Sequence, residues 1–170
     1  MKNLFLLFLS AVVAIVMTTV GGVALAEAAP FHPGDALYPV QRFVENQALF
    51  RPTANDKASW YVQLVERRAA DLAQQAGSAN QADALSAFDE AVLQSARWLA
   101  QASPDTKAAL QTRLSGLFTQ VQPLLETWSA GSQQEQSQLL AVQARLETFQ
   151  SLLANGDLTP AEAARITGDA

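Results

Sequence analysis

The residue types that usually do chemistry are thinly spread in this chain. Its one histidine, His32, has no second imidazole to join, and the sequence contains no cysteine. Transition-metal sites need several converging ligands, so His32 reads as a solvated linker residue and no metal is expected. Asp89 and Glu90 could act as an acid–base pair only if their carboxyls met. Adjacent residues on a helix do not face each other, so a solvated face is expected there instead. No serine sits in a Gly-x-Ser-x-Gly turn, and His32 is the only imidazole that could activate one. Asn155-Gly156-Asp157 lacks the spaced oxygens and closing glutamate of a calcium loop and reads as a helix stop. There is no glycine-rich phosphate loop. The expectation is a chain that is not an enzyme, with no catalytic residue, no cofactor-binding residue and no metal.

Two features keep some chemical interest. Arg68 falls on an apolar helix face with Tyr61, Leu64 and Leu72, where a charge is costly unless paired. Asp35 and Glu45 are its candidate partners, and a partner-facing arginine is the rival reading. Trp60, Trp98 and Trp128 could form a ligand cage or a binding face, but aromatics at helical spacing are more often core or core edge.

The elements that must position these residues are helices. Strand signals are nearly absent, and Ala, Leu and Gln dominate. The 3-4 spacing of apolar residues predicts six segments. The first covers 37–50, with Pro39 in its first turn and Val40, Phe43, Val44 and Phe50 as its stripe. The second covers 56–76, capped by Asn55 or Thr53 and stopped by Gly77. The third covers 81–102, with Leu85, Phe88, Val92 and Leu99 inward. The fourth covers 104–129, with a stripe of Leu110, Leu114, Leu117, Val121, Leu124 and Trp128 and a kink expected near Pro123. The fifth opens on the capping-box pattern Ser132-Gln133-Gln134-Glu135, carries Leu139, Val142, Leu146, Phe149 and Leu153, and stops at Gly156. Thr159-Pro160-Ala161-Glu162 opens a short sixth. Short connections favour antiparallel neighbours. The expected fold is therefore all-α: an antiparallel bundle of about five main helices plus a short C-terminal one. Gln111-Thr112-Arg113-Leu114 and Gln143-Ala144-Arg145-Leu146 look alike, which ordinary amphipathic helices suffice to explain.

The first 26 residues have the anatomy of an export signal. Lys2 supplies the positive end, residues 4–17 are apolar apart from Ser10, and Ala24-Leu25-Ala26 is a small-x-small cleavage signature. Residues 4–26 are also about long enough to remain as a membrane anchor. Either way the chain beyond Glu27 lies outside the cytoplasm, with the membrane touched only through residues 4–26 if they are retained. The expected organisation is 1–26 as signal peptide or anchor, 27–36 as linker, and 37–170 as the helical domain. Without Lys2, ten basic residues face sixteen acidic ones, a net charge of −6. The basic residues do not cluster, so nucleic-acid binding is not expected.

The distinctive string is Pro33-Gly34-Asp35-Ala36-Leu37-Tyr38-Pro39, followed by Arg42 and Glu45. It resembles the opening of a bacterial domain-of-unknown-function family, number fifty-six sixty-seven, whose second helix ends in a run like Glu66-Arg67-Arg68. Gln41 stands where that family often has lysine. The likeness covers residues 33–77 and implies a helical segment that follows an export or membrane sequence, sometimes attached to anti-sigma-factor-like proteins. It brings no activity. Pro33, Gly34, Asp35, Leu37, Tyr38, Pro39, Arg42, Glu45 and Arg68 are read together as a structural clasp. Gly34 permits a turn, Asp35 caps the first helix, and Tyr38 packs inward. Two function classes follow. One is a non-enzymatic extracytoplasmic interaction or envelope-sensing module with an unidentified protein partner. The other is a small exported chaperone, since Leu158-Thr159-Pro160-Ala161-Glu162 faintly resembles a Leu-Thr-x-x-Gln motif of periplasmic chaperones.

Overall fold

The structure, a computed structural model, describes residues 33–35, 38 and 51–168. The chain divides between Phe50 and Arg51 into two units. The expected export segment and most of the expected first helix lie outside the described residues. Every regular element among the described residues of the second unit is helical, and no strand occurs among them. None of these helices is long and apolar enough to cross a membrane.

Four long helices and a short one make up this unit: α1 (Ala54–Gln75), α2 (Gln81–Leu99), α3 (Pro104–Glu126), α4 (Gln133–Asn155) and α5 (Pro160–Thr167). Their ends follow local chemistry. The Thr53 hydroxyl accepts from the Asp56 N–H and caps α1. Asn55, the rival cap, has a different task. Its amide bonds the backbone N–H and hydroxyl of Ser103, fastening the start of α1 to the start of α3. Two helices stop short of the sequence expectation. α2 ends at Leu99 rather than 102 because Gln101 and Ala102 donate to Trp98 and Leu99, tightening the chain ahead of Pro104. α3 ends at Glu126 rather than 129, with Pro123 in its last turn and Trp128 donating to Leu125. α4 ends with Gly156 at φ 72°, and the Asp157 and Gly156 N–H groups return to Leu152 and Leu153.

Contacts fix the topology. In α3 and α4, Phe118 meets Phe149 and Gln143 reaches the Leu125 carbonyl, while Lys107 reaches that of Leu158. One number falls as the other rises, so the two helices run antiparallel. Lys57 over Trp98, and Tyr61 near Glu90, show the same for α1 and α2. By contrast Asn55 meets Ser103 and Glu66 meets Arg113, both numbers rising together. α1 and α3 are therefore parallel. The unit is two antiparallel hairpins laid side by side, with α1 on α3 and α2 on α4. Antiparallel packing thus holds within each hairpin, and parallel packing joins them. α5 folds back against α2 and α4.

The core includes Leu72, Leu85, Phe88, Leu114, Phe118, Leu125 and Phe149, each nearly or fully buried. Side chains of this size contribute roughly 1.5–3 kcal/mol each on burial. The stripe of α3 is shifted from expectation. Phe118 and Leu125 are central, whereas Leu117 and Leu124 are only partly buried. A 3.6-residue period offers both i+3 and i+4 from Leu114 and Val121, and only the position of α4 selects between them. The stripes of α2 and α4 are buried as read from the sequence.

Candidate functional site

The described part of the motif is a turn. Gly34 has φ 102°, a region that a Cβ would strain. The Tyr38 N–H donates to the Asp35 carbonyl at 3.0 Å, Pro33 and Tyr38 are buried, and Asp35 is exposed. Leu37, Pro39, Arg42 and Glu45 lie outside the described residues.

Arg68 is buried on α1, where it donates to the Asp71 carboxylate at 2.7 Å. This partner was missed in the sequence, although its i, i+3 spacing is the signal that could have found it. About two turns away on the same helix, Tyr61 is buried. Burial first, and then the Glu90 carboxylate, push its hydroxyl above the ordinary value of 10.0, while Arg51 and Arg97 pull the other way. The phenol therefore stays neutral through the physiological range.

The adjacent carboxylates of α2 separate as expected, but not onto the solvated face expected for them: both are half-buried, Asp89 paired with Arg145 of α4 and Glu90 acting on Tyr61 of α1, because α2 packs between these helices. The three tryptophans share no partner. Trp60 stacks under Arg51 and Arg67, with centroid distances of 3.5 and 5.3 Å, and Trp98 lies under Lys57 at 4.0 Å. Trp128 donates its indole N–H toward Glu135 at 3.4 Å. The capping box at the head of α4 is altered accordingly. Ser132 caps the Glu135 N–H in the usual way, but the Glu135 carboxylate reaches past Ser132 to the Gly131 N–H at 2.7 Å.

The charges show a consistent division. Each described arginine or lysine is held within the chain. Arg113 grips Glu66 through two nitrogens, Arg165 pairs with Glu162, and Lys107 donates to a backbone carbonyl. Arg51, Lys57 and Arg67 lie on indoles, Arg68 and Arg145 pair with aspartates, and Arg97 also has a partner. Several carboxylates have no such partner, and two of them, Glu126 and Glu147, stand on the same groove. That groove runs between α3 and α4 and has a volume of about 160 Å³. It is lined from α3 by Phe118, Gln122, Leu125 and Glu126 and from α4 by Gln143, Leu146, Glu147 and Gln150, and its three apolar residues are buried. Leu140, at 56% exposure, lies on α4 one turn before Gln143 of the same groove.

The groove contains no nucleophile with a base beside it. Among the described residues no group of three or more histidine, aspartate or glutamate side chains could hold a metal ion. What the arrangement offers is a polar, acidic surface of glutamines and two carboxylates. Glu126, Glu147 and the glutamines of the groove belong to no motif, and the sequence gave no signal that would single them out. No protein-family model, no curated protein and no solved structure matches the chain.

Proposed function

We propose that this chain is a non-enzymatic, extracytoplasmic helical domain that works by binding another protein, in an envelope-sensing or similar role. The observation that carries this reading is the open α3–α4 groove, lined by glutamines and two carboxylates, on a bundle whose described cations are all engaged internally. Such a surface suits recognition rather than turnover, because it offers shape and charge without a reactive group. The sequence supports the location. Residues 1–26 read as a signal peptide or anchor, and the 33–45 string resembles the membrane-following helical family named above. On this reading the 33–39 string serves as a clasp for the start of the domain and not as the binding surface.

The exported chaperone is the second reading. Its motif residues have ordinary structural employment here: Leu158 is buried, and Thr159 caps α5 by accepting from the Glu162 N–H. That favours the binding domain. Site-specific photocrosslinking of the full chain in cells, with the reactive side chain at Gln122 and a control at Asp83, tests the choice. A binding domain yields one discrete protein adduct from Gln122 and none from Asp83. A chaperone yields a broad spread of adducts and suppresses aggregation of heated citrate synthase. No adduct from either site defeats the binding reading.

A further inference from the structure

We draw no further inference here: the strongest candidate, the cleft between α4 and α5 lined by Arg145, Thr148 and Arg165, carries nothing, because each guanidinium is already paired with a carboxylate, Asp89 for Arg145 and Glu162 for Arg165, so that the cluster has no net charge for an anionic ligand to answer.

Discussion

Removing the Glu135 carboxylate should loosen the α3–α4 hairpin by a predictable amount. Glu135 is 7% exposed and its side chain serves two donors, the Gly131 N–H at 2.7 Å and the Trp128 indole at 3.4 Å. A hydrogen bond to a charged group contributes roughly 1.5–3 kcal/mol. The first bond is short enough to count fully. The second lies beyond the usual N–H···O range, so it is worth about 0.5 kcal/mol at most. Gly131 is exposed, so water can recover part of its bond once the carboxylate is gone. Trp128 is 8% exposed and recovers less. Glu135→Ala should therefore destabilise by about 2–3 kcal/mol. Glu135→Gln keeps an acceptor without the charge and should cost about half as much. Ser132→Ala removes only the cap and should cost about 1 kcal/mol. Urea unfolding followed by tryptophan fluorescence reads all three. With a slope of about 1–3 kcal/mol per molar, Glu135→Ala should lower the midpoint by about 1–2 M with the slope unchanged. A shift below about 0.3 M would mean that water satisfies Gly131 and Trp128 and that the carboxylate does not hold the turn.

Alkaline stability should report Tyr61. Its folded hydroxyl is held above 10.0, so the stability it confers is complete below that value and lost as pH rises through the folded one. The urea midpoint should fall above about pH 10, and less steeply in Tyr61→Phe. Arg68→Ala should cost about 3–5 kcal/mol because it removes the cation beside the buried Asp71, whereas Arg113→Ala, at a pair 45% and 37% exposed, should cost less than about 1 kcal/mol. Equal effects in thermal melts would refute the burial argument. Tyr38→Ala should cost on the order of 3 kcal/mol, since the ring is buried, and a parent-like melt would turn the 33–39 string into a binding candidate. N-terminal sequencing of the extracytoplasmic protein should begin at Glu27, and an intact Met1 in the membrane fraction would establish the anchor instead.

What the chain determines by itself is local. Apolar spacing specified α1 to α5, because burying one face of a helix requires residues every three or four positions. Caps were legible for the same reason: Ser132, Thr159 and Gly156 act within a few residues of themselves. The stop of α2 before Pro104 was read three residues late, since the tightened last turn depends on how Ala100 and Leu99 bury.

Everything that required a second helix was decided by the tertiary structure. Leu117 and Phe118 are equally good core residues in sequence, and only α4, through Phe149, chose Phe118. Asn55 looked like a helix cap until Ser103 of the neighbouring hairpin came within its reach. Arg113 and Arg145 sit in look-alike strings, yet one pairs across to α1 and the other to α2. The groove belongs to the same class. Glu126 and Glu147 are 21 positions apart in the sequence and come to line one groove only because α3 and α4 pack antiparallel. Local interactions fix a helix at its own residues, whereas the joint use of two carboxylates depends on chain reversal and packing, which sequence spacing does not encode.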